Sequence, residues 1–429
     1  MSLSESIVRT YTEILKEELL PAMGCTEPIA IAYAAAILRD ALGEEPCTVR
    51  VGLSGNIIKN VKSVIVPATG GMHGIAAAVA AGVIAACPEK RLEVLCNLTD
   101  ADRERIVAYL GTVDLKLNEL DTQNPFEIEI SGVTEDGISA RVHLVHRHTN
   151  INLVECDGAD LTANYREAEQ ETSNPHADRR MLNVKDIIAY AEEVELDELS
   201  PILHRQIEMN MAIAEEGLRG NWGASIGKLL YNGGACDLRN AARAYAAAGS
   251  DARMSGCELP VCIISGSGNQ GMTASVPVVV YGRALDVDEE TLLRSLIVSN
   301  LITVHQKTGI GCLSAYCGAI SAGCGCGTGI CFMQGGRYYE IAHTLVNAVA
   351  ILSGTICDGA KPSCAAKIAM AVEAGIMGYE MMLSGHQFYD GDGIITKGVE
   401  NTIRNVGRLA RDGMSGTDRE IIRMMLGEA

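Results

Sequence analysis

The sequence predicts an α+β protein: a largely helical bundle domain with a smaller α/β domain inserted after two N-terminal helices. Three patterns predict it. Apolar residues alternate with period two only between about residues 46 and 148. Helical periodicity precedes that stretch, and it dominates from about residue 181 onward, where Ala- and Gly-rich segments are broken by Gly loops. Residues 1–44 then hold the N-terminal helices, expected to pack on the helical domain. Residues 45–180 hold the α/β domain and a connector, and 181–429 the helical domain.

The first helix follows from Ile7, Tyr11, Ile14, Leu15 and Leu19 on one face, stopped by Pro21. A short turn to Cys25 leads into Thr26-Glu27-Pro28, a cap followed by Pro in the first turn, and a second helix runs to about Leu42. Strands are read at Val49–Leu53, Val113–Leu117, Phe126–Ile130 and Ile138–Leu144, with Asp136-Gly137 as a hairpin turn. Helices fall at about 72–86 and 100–110. Residues 150–180 are polar, contain Asn174-Pro175, and read as the connector. Beyond it, Asn183 caps a helix with Val184, Ile187, Ile188 and Ala191 on one face, and Ser200-Pro201 opens another.

Composition narrows the function. The 429 residues carry 35 Lys and Arg against 54 Asp and Glu, a net charge of −19. Such a chain has no general field for phosphates, which argues against nucleic-acid and anionic-membrane binding. Only 4% of residues are aromatic, so base-stacking surfaces are not expected either. Thr308–Gly336 lacks charge but is too rich in Gly to span a bilayer, and reads as tightly packed core. Met1–Thr10 is polar and shows no apolar export segment. The 15 cysteines are therefore expected to be reduced, in the cytoplasm, and available for metal or catalysis.

Four groups of residues could carry chemistry. Cysteines gather late in the chain, at 312, 317, 324, 326, 331, 357 and 364, with no CxxC pair and no ferredoxin spacing. Cys324, Cys326 and Cys331 read as small buried hydrophobes. Cys357 and Cys364 flank Asp-Gly-Ala-Lys-Pro, loop chemistry that can turn two thiolates toward one point. Cys25 precedes a helix N-terminus, where the dipole lowers a thiol's pKa; it is a candidate base or nucleophile, or else a packed cysteine in a turn. The Ser265-Gly-Ser267-Gly-Asn269-Gln-Gly271 loop suits a carboxylate near backbone N–H groups, or is a plain interhelical loop. His146 and His148 share one face of a strand-like run, with His143 on the other; an exposed polar face is the expectation there, not a metal site.

Three stretches occur together: Pro21-Ala-Met-Gly-Cys25-Thr-Glu-Pro28, Ser265–Gly271, and Cys357-Asp-Gly-Ala-Lys-Pro-Ser-Cys364. The combination resembles the L-cysteine desulfidase family, within the iron–sulfur L-serine dehydratase alpha-like group, and covers essentially the whole chain. The resemblance implies a [4Fe-4S] cluster in the 181–429 domain, held by Cys317, Cys357 and Cys364 with one iron left open. Cys312 and Cys324 lie close enough in sequence to compete with Cys317. It further implies Cys25 as proton acceptor. Thr26, Ser265, Ser267 and Asn269 are the candidate substrate-binding residues.

The implied reaction is α,β-elimination of a small β-substituted L-amino acid, L-cysteine first, to pyruvate, ammonia and sulfide. A base removes the Cα proton, and an open iron assists the departing sulfur. L-Serine dehydration is the alternative within this chemistry. A non-catalytic iron–sulfur or redox-sensing protein is the alternative outside it. The partner expected is a small amino acid, and homo-oligomerisation is left open.

Overall fold

The structure is a computed structural model describing residues 3–166, 177–231, 237–311 and 313–426. It is α+β: a six-stranded mixed sheet beside a larger helical assembly. The sheet comprises β2 (Thr48–Leu53), β3 (Asp114–Glu119), β4 (Glu127–Val133), β5 (Ser139–Val145), β6 (Ile151–Cys156) and β7 (Ala159–Asp160), ordered β3-β2-β4-β5-β6-β7. Only β2 and β3 pair in parallel. Alternation sets the inner face: Val49, Val51, Ile128, Ile130, Val142 and Leu144 are fully buried. Each such aliphatic side chain contributes about 1.5–3 kcal/mol on burial.

Two expectations about this half need correction. The helix Thr26–Leu42 packs mainly on the sheet and on the helix Gly74–Ala85, and meets the helical part of the chain at its start, where the Thr26 hydroxyl donates to the Gly266 carbonyl. The first helix, Glu5–Glu18, reaches that part, touching the helices Val184–Glu193 and Glu289–Ile310. The polar connector also begins later than expected. Ile151 and Val154 face the core of β6, and a short helix, Thr162–Tyr165, follows β7. Asn174-Pro175 lies outside the described residues.

The helical part centres on Gly318–Met333, buried without interruption from Ala319 to Met333. It packs against Gly268–Ala284, Glu289–Ile310, Tyr338–Leu352 and Cys364–Leu383. Its glycines permit near contact of backbones: a Cβ on Gly323 would lie 2.3 Å from the Ala371 carbonyl oxygen. Cys324, Cys326 and Cys331 are buried in this helix, as small apolar side chains. Among the described residues no helix is long and apolar enough to cross a membrane.

A two-stranded antiparallel ribbon joins the parts. β1 (Pro21–Met23) pairs with β8 (Pro260–Cys262), Met23 opposite Pro260. This sets the turn before Cys25 beside the turn at Ser265.

Candidate active site

A cavity of about 100 Å³ lies where these turns meet the starts of two core helices, with room for several water-sized groups. Cys25, Cys317, Cys357 and Cys364 all line it. Cys317 and Cys357 are neighbours across an antiparallel bridge between Tyr316 and Ile356. The Cys317 N–H donates to the Thr355 carbonyl at 3.0 Å, and the Cys357 N–H to the Ala315 carbonyl at 2.6 Å. Cys364 follows through the turn closed by its N–H on the Lys361 carbonyl, 2.9 Å away, and opens the helix Cys364–Leu383. Cys324 is not at the cavity, and Cys312 lies outside the described residues.

Of the three thiols, Cys357 is the one shifted toward the thiolate. The neighbouring Cys317 side chain holds the Cys357 pKa below its ordinary value, helped by Lys59, the Gly359 N–H and Lys307. The Cys357 side chain, with burial, drives Cys317 up. Burial raises Cys364. Lys59 is almost fully buried, donates to the Cys357 carbonyl at 3.2 Å and pairs with Asp418. Asp418 also accepts the Ala315 N–H at 2.8 Å. Lys361 and Lys367 both pair with Asp358 inside the loop. Among the described residues no three His, Cys, Asp or Glu side chains gather tightly enough for a single metal ion.

The cavity is also lined by Cys25, the N-cap of the helix Thr26–Leu42, beside which Cys364 packs. Here the expected depressed thiol pKa is overturned. Cys25 is 2% exposed, and burial, then the Glu27 carboxylate, push its pKa up. Desolvation of the anion outweighs the helix terminus. The thiol donates to Glu27 Oε2 at 3.4 Å, and Asn60 Nδ2 donates to Oε1 at 3.4 Å. Thr26 does not line the cavity. Its hydroxyl lies 2.9 Å from Glu27 Oε2 and 2.8 Å from the Gly266 carbonyl, tying the two turns together.

Ser265 and Gly266 form a tight turn with φ of +48° and +73°, closed between Ile264 and Ser267. Gly266 is required twice over, by its φ and because a Cβ would lie 2.7 Å from His148 Cε1. The N–H of Ser265, expected to face a carboxylate, is instead held by Glu18 Oε2 at 2.8 Å. The Ser267 hydroxyl caps the helix Gly268–Ala284. Asn269 lines the cavity from the first turn, as do Ser265 and Ser267.

Four helices thus begin at the cavity, their first turns marked by Cys25, Ser267, Cys317 and Cys364. Their N-terminal poles add to the lysine charge and favour anionic contents.

Several lining residues escape sequence reasoning. Glu27 stands inside the GCTEP stretch but looks like helix-start punctuation. Arg253, 3% exposed, donates from Nε to the Gly24 carbonyl at 2.8 Å and makes no ion pair among the described residues. His148 is 8% exposed, not on an outer face, and packs edge-on against Phe126 with centroids 4.7 Å apart. Burial lowers its pKa. The three histidines do not converge: His143 sits on the sheet with Glu127 and Asn152.

Comparison with known proteins places the chain. A family described as serine dehydratase alpha chain matches residues 89–423. A UPF0597 protein of Desulfitobacterium hafniense is 51% identical over 428 residues, 100% of this chain and 99% of that one. One of Treponema denticola is 46% identical over 431 aligned positions, 99% of this chain and 100% of its own. These relatives span the segment bearing Cys25 as well. With the match running from the sheet through the last helix, the chain belongs to the serine dehydratase alpha-chain family, whose membership implies lyase chemistry.

Proposed function

We propose that the protein eliminates the β-substituent of a small L-amino acid, L-cysteine first, releasing pyruvate, ammonia and sulfide. One observation carries the reading. Three free cysteines share one small cavity with a buried thiol–carboxylate pair.

The residues fit a [4Fe-4S] cluster. Cys317, Cys357 and Cys364 would hold it, since all three are free thiols lining one cavity, with Lys307 and Lys367 among the other groups that line it. Bound with one iron lacking a protein ligand, the cluster would supply a Lewis acid for the departing sulfur or oxygen. Free thiols throughout the described residues also suit a reducing compartment such as the cytoplasm.

The remaining work falls to the chain. Cys25 passes its proton to Glu27 Oε2, and the thiolate then takes the Cα proton at Sγ. A thiol whose pKa burial has raised makes a strong base once ionised, which suits a weakly acidic Cα–H. Asn60 holds the other Glu27 oxygen and fixes its orientation.

L-Serine is the second reading, favoured by the serine dehydratase family match. Anaerobic assay of the iron-loaded protein with both amino acids decides between them. Pyruvate release with the higher kcat/KM for L-cysteine is expected. A higher value for L-serine moves the substrate and keeps the mechanism. Bound iron and sulfide with no pyruvate from either would reduce the chain to an iron–sulfur binder.

A further inference from the structure

Three polar atoms around the cavity are buried and have no hydrogen-bond partner: Nε2 of His148, Oδ1 of Asn269 and Oε1 of Gln270. His148 is 8% exposed and Gln270 5%. Buried polar atoms in native proteins are nearly always paired, and an unpaired one carries the full cost of its lost water. These three come from the segment after β5 and from the first turn of the helix Gly268–Ala284. Unrelated packing defects would not share one cavity, so the cluster points to a ligand.

The chemistry of the three atoms is one-sided. Two are amide oxygens, which only accept hydrogen bonds. The third belongs to an imidazole that burial keeps neutral, and it has a lone pair when Nδ1 carries the proton. Unpaired acceptors on residues that line one cavity call for a donor with several N–H bonds. On the same cavity lies the buried Arg253 guanidinium, against Gly268 and without a carboxylate partner among the described residues. A ligand with an ammonium at one end and a carboxylate at the other satisfies both needs.

We propose that Asn269, Gln270 and His148 bind the α-ammonium of the substrate while Arg253 binds its carboxylate. The cavity then reads the zwitterionic α-amino-acid backbone and leaves the β-substituent for Cys317, Cys357 and Cys364. The proposal rests on the lyase reading for the identity of the substrate, but not for its charged ends.

L-Alanine tests it, because it has the zwitterion and no leaving group; propionate lacks only the ammonium. Both are titrated calorimetrically into anaerobic, iron-loaded protein. The wild type should bind L-alanine at least about tenfold more tightly than propionate. Gln270→Met should weaken L-alanine by about tenfold or more and leave propionate unchanged. Gln270→Glu, nearly isosteric and still an acceptor, should bind L-alanine at least as well as the wild type. Equal iron content across the variants shows that the fold is intact, and Asn269→Leu replaces Gln270→Met if the latter does not fold.

Equal binding of L-alanine and propionate by the wild type overturns the proposal. So does unchanged L-alanine binding in Gln270→Met, or loss of binding in Gln270→Glu. If no β-substituted amino acid yields pyruvate but L-alanine still binds in a Gln270-dependent way, the lyase reading falls and the subsite stands. Normal KM for L-cysteine in Gln270→Met retires the subsite alone.

Discussion

Cys317 and Cys357 stand side by side on the Tyr316–Ile356 bridge, the backbone N–H of each donating to a carbonyl of the other's segment. Two distant segments are thereby locked before any metal arrives, and Cys364 is brought in by the following turn. Serine at any of these three positions should cost the protein its cluster. Cys25→Ser should keep iron and sulfide at wild-type levels while turnover falls about 10²–10⁴-fold, the contribution of a positioned base. Iron and sulfide per chain after anaerobic reconstitution, with the visible spectrum, check both. An iron-free Cys25→Ser would make that residue a ligand.

Glu27 provides a second, independent handle on the base. Its carboxylate accepts the Cys25 thiol proton, and an amide in its place accepts far more weakly. Glu27→Gln should therefore retain the cluster and lose turnover by about 10²-fold or more, chiefly in kcat. A Glu27→Gln enzyme with wild-type kcat would remove the carboxylate from the proton path.

His148 predicts a pH dependence of stability. Its folded pKa lies below the ordinary 6.5 because burial disfavours the cation. Below pH 6.5 the unfolded chain takes up a proton that the folded chain refuses. The stability from this group is thus full above pH 6.5 and declines as pH falls toward the folded value, by at most about 1.4 kcal/mol per pH unit. His148→Asn should flatten the decline between pH 6.5 and 5.5. Urea unfolding at those two values, for both proteins, measures it; equal slopes would show that His148 titrates normally.

How much of this was legible in the sequence depends on range. Alternation located β2, β4 and β5, because one face of each is fully buried. It failed at β6, where the pairing with β5 shifts register between His143 and Leu144 and the inward residues Ile151 and Val154 are three apart. It failed again for His148. The preceding His146 has φ +69°, so the run has left the strand and facing can no longer be counted in twos. The cysteine motif marked the site, since loop residues between two thiols are a local signal. The height of the Cys25 pKa was not local: it depends on the depth of burial and on Glu27, not on the helix end that the sequence displays. Arg253 and Lys59 carried no signal at all, because only the tertiary fold brings them to the cavity.

Lys59 and Asp418 give the last prediction. The pair is buried, with side chains 1% and 15% exposed, and it joins three pieces of the site. Lys59 also holds the Cys357 carbonyl, and Asp418, from the helix Ser415–Leu426, also holds the Ala315 N–H. Removing one partner leaves a buried charge without its counterion, which costs about 3–5 kcal/mol, whereas replacing both by apolar groups of similar size is often close to neutral. Lys59→Met should sit at the lower end of that range, since the Ala315 N–H still serves one Asp418 oxygen. Asp418→Leu combined with Lys59→Met should recover most of the stability. It should not recover the cluster: the Cys357 carbonyl and the Ala315 N–H both lose their partners, and the bridge that sets Cys317 against Cys357 loosens. Urea unfolding should show the single variant as the less stable of the two. Exposure of loaded protein to air should bleach both variants faster than the wild type. A double variant that regains stability and also keeps its cluster as long as the wild type would show that the pair serves the fold alone.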